Sequence, residues 1–459
     1  MPNRNILQVS EFEKLYYDDK KPFKQKHWEA LCRYLDNQNK KEEKRVEYFR
    51  ILNKGIQFTN FVGVIQAGNL TIEILPKIDK GATTAANKTL SELQLTDEQA
   101  AKERAKWQKV LLQMLKECRL LKVNQVDYAN LNLRSNSILD IYIDLFLIET
   151  EKLLHEGLHK KYQKQEGNQT ALKGQLQFAK QIAHNITHHE RFYVRFTEYN
   201  RNNIYNCILY KTLCLIPGIS NNNYFSDKVG RLLLDFPEVA NVNINEETFT
   251  HLSFDRKTER YKEALLISKM LLLNYHPDIT GGQDNVIAIL FDMNKLWEEF
   301  IYRRLKKEEE NFNIKVYARQ STNFWKPENG SLSKKIKPDI VISKNEKVKS
   351  LGIAHNGTRT TFIIDTKWKC LDDLNPNDAD LKQMFVYNLF WKCDMSILLY
   401  PAQSSASAKG IYHSHLLENE MDTCCSVEVI TVLDKNGLLD KEIGGKLLTI
   451  VLPTTLHEN

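Results

Sequence analysis

Two short apolar runs, each abutting a carboxylate, constrain this chain most: Asp339-Ile340-Val341-Ile342-Ser343, preceded by Pro338, and Phe362-Ile363-Ile364-Asp365-Thr366-Lys367. Runs of β-branched residues this short read as strands buried on both faces. A strand so buried has little room for a charge that lacks a reason to be there. In extended backbone successive side chains alternate, so Asp365 and Lys367 project to one side while Ile364 and Thr366 project to the other. Asp339 lies 26 positions before Asp365 and joins that surface if the two strands pair across the Lys344 to Arg359 connection.

Two carboxylates with a backbone carbonyl, that of Thr366, make a hard oxygen site suited to Mg2+, an ion that keeps several of its waters. Such an ion activates a water and polarises a phosphodiester, while Lys367 positions or deprotonates that water or neutralises charge on the phosphate. Asp-x-Lys alone arises often on solvated strands; the apolar run before it is what sets this copy apart. Glu298 falls on the helix expected at Met293 to Glu310, upstream of Asp339, as a further candidate at the metal. Gln383 and Tyr387 lie four apart on one face of a helix expected at Asp380 to Phe390.

The rest of the chain reads as an α+β protein of several domains. A small β-rich unit with a helical extension is expected over residues 1–130, with strands between Val46 and Ile78, a turn at Ala67-Gly68-Asn69 and a helix near Trp107 to Leu121. A mainly helical region follows over 131–283, its longest helix running from Ile138 to about Tyr162. An α/β domain with a central mixed sheet spans 284–459, with strands at Asp339 to Ser343, Thr361 to Trp368, Ser396 to Tyr400, Val427 to Val432 and Lys446 to Leu452. The net charge of +6, from 64 basic and 58 acidic side chains, is too mild to name a nucleic-acid partner. Its distribution says more, for Asn311 to Lys369 holds 12 basic residues against 4 acidic. The eight cysteines are scattered without a C-x2-C pair, which fits a reducing cytoplasm, and neither an export signal nor a membrane-length apolar run is evident.

The order Glu298, Pro338-Asp339, Asp365-x-Lys367, Gln383-x3-Tyr387 resembles the PD-(D/E)xK nuclease superfamily, its last element being similar to that of RecB-like nucleases. The segments VGVIQAGNLTIEILPKI (62–78), LLHEGLHKKY (153–162), LKGQLQF (172–178), FDMNKLWEEF (291–300), KPDIVIS (337–343), FIIDTKWK (362–369) and DLKQMFVY (380–387) together resemble the McrC family, the nuclease subunits of McrBC-type restriction systems. The resemblance implies a PD-(D/E)xK fold over 284–459 and a Mg2+-dependent endonuclease acting on double-stranded DNA. Asp339, Asp365 and Lys367 would be catalytic with Glu298, Gln383 and Tyr387, and Asp339, Asp365, Thr366 and Glu298 would hold the metal. It further implies a hexameric AAA+ GTPase partner of the McrB kind, which binds the GTP, this chain having no GxxxxGK[ST] phosphate loop.

Pro76 and Lys77, at a proline-stiffened strand end, are candidate partner contacts. Lys335, Lys337 and Lys369 are candidate phosphate contacts on DNA. Two other readings stay open on the sequence: a scaffold and GTPase activator with a degenerate nuclease fold, and a stand-alone repair nuclease. His184 and His188, four apart, are read as ordinary surface histidines, and Trp325, in FWKPENG, as a strand-end aromatic packed on its own domain rather than stacked on a base.

Overall fold

The computed structural model describes residues 5–41, 47–77, 97–120, 137–220, 222–276, 286–328, 333–345, 359–369, 371, 374–393, 395–402, 404–412 and 424–452. The chain begins with β1 (Asn5–Ser10), β2 (Lys14–Tyr16), α1 (Gln25–Lys41), β3 (Phe49–Leu52), β4 (Gly55–Phe58), β5 (Phe61–Ala67), β6 (Leu70–Leu75) and α2 (Asp97–Glu117). β2, β4 and β3 form one small antiparallel sheet. β5 and β6 are the expected hairpin, joined through two residues of which Gly68 takes a positive φ, as a primed turn requires. β1 lies parallel to β6, each Cα of Asn5–Ser10 matched by one of Leu70–Leu75.

The middle of the chain supplies α3 (Ile138–His155), β7 (Lys161–Gln169), β8 (Gln175–Leu176), α4 (Phe178–Asn185), β9 (Phe192–Asn200), α5 (Ile204–Ile219), α6 (Asn223–Asp235), α7 (Lys262–Leu273), β10 (Tyr275–His276) and β11 (Val286–Asp292). α3 starts where the Ser137 hydroxyl accepts the Asp140 N–H. It stops at His155, short of the Tyr162 expected from the apolar spacing. The carbonyl of Gly157, a residue at positive φ, is taken up by the Arg260 guanidinium, which also pairs with the Glu156 carboxylate at 3.1 Å. The chain then forms a long β7–β9 hairpin edged by β8, in a region where helices were expected to dominate.

β11 pairs along its whole length with β5 and closes the amino-terminal sheet in the order β1-β6-β5-β11-β10. A glycine is needed where they cross: a Cβ on Gly63, at φ +137°, would stand 2.2 Å from the Ile289 carbonyl oxygen. The strand just beyond the expected 283/284 boundary is thus shared with the first unit.

After β11 come α8 (Met293–Lys307), β12 (Ile314–Ala318), β13 (Thr322–Trp325), β14 (Lys334–Ile336), β15 (Ile340–Asn345), β16 (Arg359–Thr366), α9 (Asp378–Trp391), β17 (Met395–Ala402), β18 (Ala406–Ile411), β19 (Cys424–Thr431) and α10 (Ile443–Val451). Six strands form a mixed sheet, β12-β15-β16-β17-β19-β18, with β16, β17 and β19 mutually parallel and the others antiparallel to their neighbours. Its two faces alternate residue by residue. Ile342, Ile364 and Ile397 join the large core containing Trp297 and Phe300 of α8, whereas Val341, Ile363 and Leu398 join Met384 and Tyr387 of α9.

The stretch Lys446 to Leu452, expected as a strand, lies instead at the end of α10. Ile443, Leu447, Leu448 and Val451 recur at helical spacing and are all buried. α10 lies so close to α8 that a Cβ on Gly444 would meet the Arg304 carbonyl oxygen at 2.6 Å. Among the described residues no helix is long and apolar enough to cross a membrane.

Candidate active site

Alternation along β16 decides which side chains can meet. Asp365 and Lys367 follow Ile363 onto the face covered by α9, while Thr366 and Trp368 follow Ile364 onto the α8 side. The antiparallel register pairs Ile340 with Ile364, so one further step sets Asp339 across from Asp365. Asp339 is anchored there: its Oδ2 accepts the Thr366 N–H at 2.8 Å and the Thr366 hydroxyl at 3.0 Å. Its carbonyl accepts the Arg319 N–H at 2.9 Å.

Lys367 Nζ lies 2.7 Å from Asp365 Oδ2 and donates to Gln383 Oε1 at 3.4 Å. Gln383 Nε2 donates to the Tyr387 hydroxyl at 2.6 Å, and that hydroxyl donates to the Lys337 carbonyl at 3.0 Å. One face of α9 therefore ties the ammonium to the segment entering β15. Asp380, one turn before Gln383, was not singled out in the sequence. It stands 3.9 Å from Lys367, pairs with Lys369 at 2.6 Å and lies 3.5 Å from the Tyr400 hydroxyl. The sequence marks it only by the helical spacing that Asp380, Gln383 and Tyr387 share.

The electrostatics follow from crowding acids at low dielectric. Burial, and then the charge of Asp365, push the Asp339 carboxyl up to about 6 against the two bonds from Thr366. Burial also raises Asp365, which is 1% exposed, with Lys367 opposing. Lys367 stands above the ordinary lysine range: burial disfavours its ammonium, but Asp365, Asp380 and Asp339 outweigh that. It is a fixed cation in this state. Burial pushes the Tyr387 phenol up to about 12, which keeps it a hydrogen-bond donor.

The donor set fits a hard divalent ion. Asp365 is buried beside the second carboxylate of Asp339, and although Lys367 lies 2.7 Å from its Oδ2, one ammonium leaves the two acids with oxygens to spare for a cation. Among the described residues no three His, Cys, Asp or Glu side chains cluster as a complete metal cage. Two carboxylates and a backbone carbonyl, as donors to such an ion, would leave coordination positions for water.

Glu298 is paired with Arg319 at 2.6 Å; burial raises its carboxyl, with Arg319 opposing and the Asp339 charge adding to the rise. Lys335 and Lys337 are exposed, and Lys369 is exposed although paired. Pro76 is buried and Lys77 half-buried, its N–H donated to Glu11 Oε1 at 2.8 Å. Of the basic residues between Asn311 and Lys369, Lys347 and Lys349 lie outside the described residues. His184 stacks on Tyr193 and His188 pairs with Glu190; Trp325 ends β13 as expected but, against expectation, is 55% exposed rather than packed on its domain.

Comparison with known proteins gives consistent findings. A family model described as "McrBC 5-methylcytosine restriction system component" matches residues 56–401. The Escherichia coli K12 "Type IV methyl-directed restriction enzyme EcoKMcrBC" is 23% identical over 236 residues, covering 49% of this chain and 67% of that protein. A chain in the half-complex from the tetradecameric assembly of Thermococcus gammatolerans McrB AAA+ hexamers with bound McrC superposes with a TM-score of 0.67 at 17% identity. The match covers 97% of this chain and all of that one, and shows a shared fold.

Proposed function

The chain belongs to the family of McrBC 5-methylcytosine restriction system components, and from that premise we propose that it is the nuclease subunit, a PD-(D/E)xK endonuclease cutting double-stranded DNA with Mg2+. The observation that carries the reading is the convergence of Asp339, Asp365 and Lys367 at adjacent strand ends. Asp339 and Asp365, with the Thr366 carbonyl, would hold the ion. When bound, Mg2+ supplies a Lewis acid and an activated water.

The chain's own groups do the remaining work. Lys367, kept protonated by its acidic neighbours, neutralises charge that develops on the phosphate as the attacking oxygen arrives. Gln383, backed by Tyr387, fixes where that ammonium stands. Glu298, paired with Arg319 and close enough for its charge to be felt at Asp339 and Asp365, would be a further carboxylate at the ion. Lys335, Lys337 and Lys369 contact backbone phosphates, giving affinity that is independent of sequence and weakened by salt.

The partner in this reading is a McrB-like hexameric AAA+ GTPase, which binds the GTP. Because Pro76 is buried, a partner contact at that strand end falls to Lys77. The test is plasmid cleavage by the reconstituted complex in Mg2+ and GTP. Asp365→Ala and Lys367→Ala are expected to abolish cutting while leaving complex assembly and partner GTPase stimulation intact. Retained cutting in Asp365→Ala would overturn the reading, and stimulation without cutting in the wild type would leave a scaffold.

A further inference from the structure

Beside Lys367, on the opposite face of β16, the Trp368 side chain leaves the catalytic surface and points into the protein. Its ring is buried edge-on against Trp297 of α8, with centroids 5.4 Å apart, and its backbone N–H is donated to Asn294 Oδ1 at 3.2 Å. Its indole Nε1–H is donated to Glu11 Oε1 at 2.7 Å. Glu11 belongs to the far end of the chain. It follows β1, its backbone N–H bonds the Leu75 carbonyl at 3.0 Å, and the same Oε1 accepts the Lys77 N–H at 2.8 Å.

One carboxylate oxygen thus joins the exits of three strands: β1, which carries Glu11; β6, which leads to Lys77; and β16, which ends in Asp365-Thr366-Lys367. Glu11 is 3% exposed, and its second oxygen is buried without a hydrogen-bond partner. An apolar side chain would fill such a place at less cost than a carboxylate. Burial pushes the Glu11 carboxyl up to about 7, with Lys77 and Trp368 opposing. The two directional bonds at Oε1 are what an apolar residue could not make.

We infer that Glu11 is a positioning residue for the candidate active site, acting through Trp368 to hold the strand end that carries Asp365 and Lys367 against the amino-terminal sheet. The inference rests on the nuclease reading of that site. It deepens that reading by assigning the amino-terminal sheet a part in catalysis: the exit of β6, at Lys77, and the catalytic strand are fixed by the same atom. A displacement at either one is therefore passed to the other.

The test is a double-mutant cycle in the full chain, reconstituted with its GTPase partner and assayed on plasmid DNA in Mg2+. Glu11→Ala and Trp368→Phe are each expected to lower kcat by roughly tenfold to a hundredfold through misplacement of the strand end, with KM for DNA unchanged. The double variant is expected to be no slower than the slower single one, because both remove the same link. Glu11→Gln keeps Oε1 as acceptor and is expected to restore most of the activity. Additive losses, or wild-type kcat in both single variants, would overturn the inference. Should Glu11→Ala fail to fold, Trp368→Phe decides alone, since it removes the indole donor; unchanged kcat there overturns it. Asp365→Ala run alongside separates the two levels: if it still cuts, the nuclease reading fails, and if it is inactive while Glu11→Ala and Trp368→Phe cut normally, only the positioning role fails.

Discussion

Replacing Asp339 by asparagine is expected to make the metal-free protein more stable at neutral pH while removing one ligand of the proposed ion site. The wild-type carboxyl is raised from its ordinary 3.8 to about 6 by burial and by Asp365. A raised acid favours folding only while protonated, so its contribution is fully present below about pH 4 and is lost as pH rises through about 6. The difference between those two values corresponds to about 3 kcal/mol. The amide introduced by Asp339→Asn retains an oxygen to accept the Thr366 N–H and hydroxyl but cannot ionise, so the variant escapes that loss. Because Asp339 and Asp365 titrate together, the measured difference belongs to the pair. The assay is urea unfolding in EDTA at a series of pH values. The stability of Asp339→Asn minus that of the wild type is expected to grow by about 3 kcal/mol between about pH 4 and about pH 7. A difference flat with pH would refute the argument that the two acids repel at low dielectric. Added Mg2+ is expected to stabilise the wild type and leave the variant unmoved.

Two further outcomes test neighbouring parts of the account. Tyr387→Phe removes the bond to the Lys337 carbonyl and loosens Gln383; plasmid cleavage is expected to slow by about tenfold, and urea unfolding to show a loss of about 1 kcal/mol. Gly444→Ala drives a Cβ into the Arg304 carbonyl, where backbone cannot yield; α8 and α10 separate, at a cost of about 1–3 kcal/mol that thermal unfolding would register.

Much of the site was readable because it depends on local rules. The two-residue period of a strand puts Asp365 and Lys367 on one face, and an apolar run that stops at a charge marks the strand end where Asp339 joins them. Helical spacing puts Gln383 and Tyr387 on one face of α9, and it is their order after Asp365 and Lys367 that singles them out. Asp380 carries no comparable signal in the sequence, because an acid in the first turn of a helix is commonplace and only the tertiary fold brings Lys367 and Lys369 to it. Glu11 was beyond reach for the same reason at larger scale, its partner Trp368 being at the other end of the chain.

The fold failed to be legible where pattern and context part. Lys446 to Leu452 is a short apolar run, and such runs fit a buried strand or a buried helix until their neighbours are known. Although β9 alternates, with Phe192, Val194 and Phe196 on one face, its partner β7 is mostly polar on both, Lys161-Tyr162-Gln163-Lys164-Gln165-Glu166 among its residues. With neither face of β7 consistently apolar, no alternation marks that strand. The place of β11 in the amino-terminal sheet rests on Gly63, whose missing Cβ allows a contact more than two hundred residues away in sequence.

The claim beneath all of this is that Asp339 and Asp365 share one divalent ion. Mn2+ binding to the full chain, followed by electron paramagnetic resonance for the wild type, Asp339→Asn and Asp365→Asn, tests it directly. The account predicts one tightly bound ion in the wild type and its loss in both variants. Mn2+ bound as tightly by either variant as by the wild type would contradict it.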